Sequence, residues 1–251
     1  MELMRGRFQG IRTVIRFNWH FFALSFGLAI LLLSVASCLG PFAIWAQIMA
    51  GLVLATTTVS LLVTYYVYDL SDLYSLNWIG YPKTPKTIVN VHAGFDETSE
   101  LIQQKFSTSK LHVFDFYDPK KHTEISIERA RKASAPFSGT VPISSNRIPS
   151  DDESADLVIV FMSAHEIRDD HERLVFFHEL HRIAKADGNV VVVEHLRNWR
   201  NFLAYTVGFF HFQSRKTWLE TFNEARFCIT KELNLTPFVT IFSLSKNGTT
   251  S

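Results

Sequence analysis

The sequence predicts an α/β domain on a mostly parallel sheet, preceded by two membrane-spanning helices. Three observations carry that expectation. Residues 17–68 contain no Asp, Glu, Lys or Arg, which leaves room for two spans of about 20 residues each. Beyond residue 83, continuous apolar runs such as VIVF and VVVV alternate with helix-like segments, as parallel strands covered on both faces do. The chain then closes on two strand-like segments whose gap is too short for a parallel crossover of about a dozen residues, so they form an antiparallel hairpin.

The elements follow in order. Arg5, Arg7, Arg12 and Arg16 make residues 1–16 a basic N-terminus. The first span covers residues 18–40 and the second 42–68, with Gly40-Pro41 as the break between them, since proline lacks the N–H that would continue a helix. Backbone groups in hydrocarbon must pair internally, so residues 17–68 form a helical hairpin. Trp19, Tyr65, Tyr66 and Tyr68 fall where amphipathic rings meet the membrane surface. The basic N-terminus and the uncharged turn place the N-terminus on the cytoplasmic side. Two crossings then return the main domain there, as part of an integral membrane protein. A cleaved signal peptide has a shorter apolar region and no second one behind it; a single monotopic insertion is the other alternative.

Composition excludes several classes. With 25 Lys and Arg against 24 Asp and Glu the net charge is +1, so no bulk field invites nucleic acid. The two cysteines, Cys38 and Cys228, have no spacing for a metal site or a disulfide framework. His178 and His181 share a helix face, but no third metal ligand accompanies them. The sequons at Asn234 and Asn247 matter only for a domain facing outward.

Residues 69–82 are expected as a short amphipathic linker helix stopped by Gly80 and Pro82. Residues 83–251 form the α/β domain. Strands are expected at 87–93, 111–117, 139–144, 155–163 and 189–196, helices at 96–106, 122–132 and 169–186, and the closing hairpin at 228–236 and 238–246. The segment 198–218 has an apolar middle and basic ends. It predicts a helix lying in the membrane surface, anchored by Trp199 and Trp218, or a lid buried against the hairpin.

From about residue 83 to 246 the chain resembles the class I S-adenosylmethionine-dependent methyltransferases, most of all the small-molecule type that includes the ubiquinone and menaquinone enzymes. IVNVHAGFD (88–96) matches that family's first strand and glycine-rich turn, and VFDFYD (113–118) its second strand with a terminal acid. IPSDDESADLVIVFMSAHEI (148–167) and ELHRIAKADGNVVVVEH (179–195) resemble its fourth-strand and "E-x-x-R-x-L-K-x-G-G" segments. The resemblance implies a Rossmann-like seven-stranded sheet with a C-terminal antiparallel hairpin and S-adenosylmethionine as cofactor. It implies cofactor contacts at Asn90, His92, Gly94, Asp96, Asp115, Ser144, Met162 and Ser163, with Asp115 on the ribose hydroxyls. Asn90 replaces the usual acid, His92 and Asp96 stand at the first and third glycine positions, and Ser144 replaces the acid that reads the adenine. Arg226 stands where Ala-Gly-Phe is expected.

The residues themselves narrow the chemistry. Asp96 and Glu97 would set carboxylates against a dinucleotide's pyrophosphate, which disfavours an oxidoreductase. A sulfonium cofactor tolerates them, although Asp96 also fits a simple helix cap. Asp115 ends an apolar strand and needs a partner there. His165 and Glu166 follow the fourth strand and His195 the fifth, at the strand ends where ligands bind; these are the candidate acid–base residues. The expected activity is methyl transfer to a hydrophobic small molecule or membrane lipid, such as a quinone precursor, a pigment or a lipid headgroup. The alternative is a catalytically silent methyltransferase fold that serves as a membrane-bound interaction subunit.

Overall fold

The computed structural model describes residues 5–80 and 84–247. Two long apolar helices open the chain, α1 (Gln9–Ala36) and α2 (Ala43–Tyr65). Both are long and apolar enough to cross a membrane. They pack on each other through small side chains: Ala29 and Ala36 of α1, and Ala46, Ala50, Thr57 and Thr64 of α2, are buried, which lets the two backbones approach closely. Their outer faces expose Leu24, Ile30, Leu31, Trp45, Leu52 and Leu62. α1 begins well before the predicted span and bends at Asn18, whose backbone leaves the helical region (φ −113°, ψ 19°). Gly10 lies against the end of the hairpin: a Cβ there would meet Tyr68 Cβ at 2.4 Å, so no larger residue fits without parting the helices.

The sheet carries the order β3-β2-β1-β4-β5-β7-β6. Its parallel strands are β1 (Thr87–His92), β2 (Lys110–Asp115), β3 (Val141–Pro142), β4 (Ala155–Phe161) and β5 (Ala184–His195). The closing hairpin, β6 (Phe227–Thr236) and β7 (Val239–Lys246), sets β7 antiparallel to both β5 and β6. This is the predicted Rossmann-like α/β sheet with its antiparallel end. Arg226, at the position where a glycine was expected, has a positive φ of 63° at the turn into β6.

Side chains alternate between the two faces of each central strand. Val89, Val91, Val158, Val160, Val190 and Val192 meet one layer, made by α5 (Asp170–Ile183) and α7 (Arg215–Glu224). Ile88, Leu157, Ile159, Val191 and Val193 meet the other. Among the described residues, the short α3 (Ser99–Lys105) lends Ile102 to that second layer, and the end of α2 lends the partly buried Val63. The chain leaving the hairpin supplies the remainder: Val67, Leu73, Leu76, Trp78 and Ile79 are buried in it. α4 (Ile125–Ala133) lies nearer the hairpin and packs on α1.

That packing corrects the linker helix. Residues 66–70 make a π turn and 72–75 a single 3-10 turn, and Leu76 takes φ 54°. A regular helix would spread these apolar residues around its axis, whereas here Val67, Leu73, Leu76, Trp78 and Ile79 reach one sheet face and Leu70 stays exposed. Trp78 Nε1 donates to the Leu73 carbonyl at 2.8 Å, and Asp69 turns back to accept the Gly10 and Ile11 amides at 2.7 and 2.8 Å, satisfying donors that a helix start leaves open. Pro82 and its neighbours, residues 81–83, lie outside the described residues. Tyr68, expected at the membrane surface, points into the domain instead.

The segment 198–218 is also not one helix. α6 (Trp199–Tyr205) ends at Thr206 (φ 47°), a 3-10 turn spans Thr206–His211, and α7 follows. α6 lies beside α2 and exposes Trp199, Phe202 and Leu203, while the turn exposes Val207 and Phe210. Trp218 is no surface anchor. It is fully buried against Phe177 and Phe222. Trp218→Ala is expected to cost about 3–5 kcal/mol of stability and Trp199→Ala almost none, read as thermal unfolding of the full chain in mild detergent.

Candidate active site

The carboxyl ends of β1, β2, β4 and β5 bring two polar clusters to one edge of the sheet. The first surrounds the turn after β1. Gly94 has φ 86°, a left-handed conformation that glycine adopts without penalty. Asn90 is buried and donates through Nδ2 to Thr98 Oγ1 at 3.1 Å and Ser99 Oγ at 2.8 Å. Asp96 Oδ1 accepts the Thr98 and Ser99 amides, each at 2.9 Å, so Asp96 braces the turn leading into α3, whose N-cap position is Thr98. His92 Nδ1 accepts the Gly94 amide at 3.2 Å. Burial lowers the His92 pKa, against the raising effect of Asp96 and Asp115. Three buried atoms here have no hydrogen-bond partner: Asn90 Oδ1, His92 Nε2 and Asp96 Oδ2.

Asp115 ends β2 and is buried. Its Oδ1 accepts the Tyr117 amide at 2.9 Å. Its Oδ2 accepts from Arg131 Nη1, on α4, in a short ion pair. The Arg131 guanidinium also lies 4.4 Å from the centre of the Tyr117 ring and covers Gly94, where a Cβ would meet Arg131 Nη1 at 2.8 Å. Sequence reasoning missed this arginine. Its position on a separate helix leaves no local signal, and only the need of a buried carboxylate for a cation points to it.

The second cluster joins β4 to β5. Glu194 is wholly buried at the end of β5. It accepts the His165 amide at 3.2 Å and sits 2.6 Å from His165 Nδ1, while Glu166 Oε1 lies 3.3 Å from His165 Nε2. Burial alone disfavours a charged ring, but the two carboxylates outweigh it and hold the His165 pKa well above the ordinary histidine value. His165 is thus an imidazolium clamped between two acids. His195 is its opposite. Burial pushes its pKa down to about 4, the Phe238 carbonyl opposing and the His165 charge adding to the fall. Its Nδ1 is 2.8 Å from that carbonyl, which fixes the proton on Nδ1. Nε2 therefore accepts from the Tyr68 hydroxyl, at 2.8 Å. Phe212 stacks on this ring and Tyr205 meets it edge-on, and the buried Tyr205 hydroxyl has no hydrogen-bond partner.

The remaining candidates stand apart. Ser163 is buried and donates to the Val91 carbonyl at 3.2 Å, tying β4 to β1. Met162 takes φ 46° and its amide donates to the Val193 carbonyl at 2.8 Å. Ser144 is exposed in a turn closed by the Arg147 amide, and the cluster's hydrogen bonds do not include its side chain. Glu179 and Arg182, the "E-x-x-R" pair, act as a brace. Arg182 holds both Glu179 oxygens and donates to the Ile148 and Ser150 carbonyls, each at 2.8 Å, fixing the approach to β4.

No protein-family model and no curated protein matches this sequence. Solved structures do share its fold. A SAM-dependent methyltransferase from Aquifex aeolicus superposes with a TM-score of 0.52 at 15% identity, covering 75% of this chain and 97% of that one. The PH0226 protein from Pyrococcus horikoshii OT3 gives 0.51 at 12% identity, over 69% of this chain and 86% of that one. The chain therefore has the class I methyltransferase fold.

The paired histidines set a pH dependence. His165, with its native pKa raised above the unfolded value of about 6.5, stabilises fully below that value and loses its contribution as pH rises through the native pKa. His195, depressed to about 4, stabilises above about 6.5 and loses that contribution as pH falls; His92 and His122, lowered by burial, add to this acid limb. Stability measured by denaturation is expected to peak near pH ~6.5. His165→Gln should remove the alkaline decline and, by leaving Glu194 buried without its cation, cost about 3–5 kcal/mol.

Proposed function

We propose that the protein is a membrane-anchored methyltransferase that uses S-adenosylmethionine to methylate a hydrophobic small molecule or lipid. One observation carries the reading. Buried Asp115, the left-handed Gly94 and three unpaired buried polar atoms converge at the strand ends, and buried polar atoms require partners. The residues fit the cofactor on one condition. Asp115 can accept both ribose hydroxyls and Asp96 Oδ2 can face the ammonium group, provided Arg131 first swings off Asp115. The Arg131 side chain is 37% exposed, so solvent can take up its guanidinium once the ion pair with Asp115 opens.

The bound cofactor would supply an electrophilic methyl group on a cationic sulfur. The chain's own work is alignment, exclusion of water and handling of the acceptor's proton. His165 is already protonated and serves to hold Glu194 and Glu166 in place. His195 is the neutral ring able to take a proton at Nε2, once Tyr68 releases it. The aromatic wall of Tyr205 and Phe212 beside it suits an apolar acceptor, and the exposed face of α6 next to α2 offers a route from the bilayer.

A silent methyltransferase fold acting as a membrane interaction subunit is the second reading. The Arg131–Asp115 ion pair favours it, because it fills the ribose position. Calorimetric titration of the full chain in nanodiscs separates the two. S-adenosylmethionine is expected to bind, Arg131→Ala to bind it about tenfold more tightly, and Asp115→Asn at least about tenfold more weakly, as charge-assisted hydrogen bonds are worth roughly 1.5–3 kcal/mol. Absence of binding to both the wild type and Arg131→Ala establishes the silent fold. In native membranes, a deuterated methyl group from the cofactor should pass into the organic-soluble fraction with the wild type and not with Asp115→Asn, read by mass spectrometry of lipid extracts.

A further inference from the structure

The first turns of α1, the turn after β1 and residues 134–138 line an open cavity of about 720 Å³. We propose that this cavity binds the phosphate group of an anionic membrane lipid. The inference rests on the membrane placement of α1 and α2 but not on methyl transfer.

Charge is the first argument. Arg5, Arg7, Arg12 and Arg16 all line the cavity. Among the described residues, Arg5 has a carboxylate partner, Glu97 at 3.1 Å, whereas Arg7, Arg12 and Arg16 have none within ion-pair distance. Even Arg5 keeps its buried Nη2 without a hydrogen-bond partner. Acids share the wall, but half of their carboxylate oxygens are committed. Glu97 is held by Arg5 and by the Tyr74 hydroxyl at 2.7 Å. Asp96 gives Oδ1 to two amides, while its Oδ2, 3.9 Å from His92, has no hydrogen-bond partner. Glu100 is the exposed carboxylate that opposes three uncommitted guanidinium groups. Guanidinium groups grip phosphate in forked pairs.

Depth is the second argument. The uncharged run begins at Phe17, and α1 starts at Gln9. At about 1.5 Å per residue the arginine-bearing part of α1 reaches about 12 Å from the hydrocarbon boundary. The headgroup layer is roughly 5–8 Å thick on each side, so the cavity spans it. Phe17 and Phe95, edge to face at 5.5 Å, form an apolar floor on its membrane side, which suits the glycerol and upper acyl chain of a lipid. A free phosphate ion would gain nothing from that floor.

The test uses the full chain in nanodiscs of phosphatidylcholine containing a minority of phosphatidylglycerol, without cofactor. Lipids retained after gentle extraction are weighed by native mass spectrometry. Phosphatidylglycerol should be enriched on the wild type over its share of the disc. The enrichment should fall by roughly fivefold per charge removed in Arg12→Gln/Arg16→Gln and stay unchanged in the control Lys110→Gln/Lys120→Gln, both variants melting like the wild type. Equal enrichment in the two double variants, or none on the wild type, overturns the proposal. Displacement of phosphatidylglycerol by inorganic phosphate at a similar concentration would assign the cavity to a soluble phosphate and overturn the lipid source. Because no cofactor is present, either failure leaves the methyltransferase reading standing, and flotation of the protein with vesicles checks the membrane placement separately.

Discussion

Apolar side chains leave both faces of the central sheet, and the second face is closed by the residues that carry the chain out of the hairpin. Leu73, Leu76, Trp78 and Ile79 are buried there. At about 1.5–3 kcal/mol for each fully buried large side chain, their burial contributes on the order of 6–12 kcal/mol, comparable to the whole stability of a typical domain. The hairpin is therefore no loose tether. Asp69 joins the end of α2 to the start of α1, and Arg129 on α4 donates to the Phe17 carbonyl at 2.8 Å. Together these contacts fix both helices against the strand ends.

The two polar clusters solve opposite electrostatic problems within one crevice. Near Gly94 there is an excess of carboxylate, and Arg131 neutralises it from α4. Near β5 a charged and a neutral histidine stand close together, separated in character by their partners. Glu194 and Glu166 hold the proton on His165, while a backbone carbonyl and a tyrosine hydroxyl suit a neutral His195. The environments, more than the residue types, divide the labour.

Much of the fold was legible because local periodicity decided it. Runs such as residues 157–160 and 190–193 are apolar at every position, and each gave a central strand buried on both faces. The short gap at Pro237 forced the antiparallel hairpin. What escaped depends on contacts distant in sequence. Residues 69–80 have helix-like spacing, yet the uncovered sheet face recruited Leu73, Leu76, Trp78 and Ile79 at once and left Leu70 exposed. Trp218 shares the aromatic surroundings of an interfacial anchor, but the pocket made by Phe177 and Phe222 claimed it. Asp115 was foreseeable at the site because a strand-end acid needs a partner. Arg131 was not, since α4 brings it there from another element. Ser144 followed from alignment with a pattern alone, and its side chain stays in the turn.

The hydrogen bond between Tyr68 and His195 has a mechanical meaning. Tyr68 follows directly on α2, and its hydroxyl rests on the neutral histidine at the end of β5. With α2 in a bilayer, a change of hydrocarbon thickness alters helix tilt. A tilt of that kind would be transmitted first to Tyr68, where α2 passes into the packed linker. Were α2 to lie in a bilayer, this one contact would link the crevice to the thickness of the surrounding lipid.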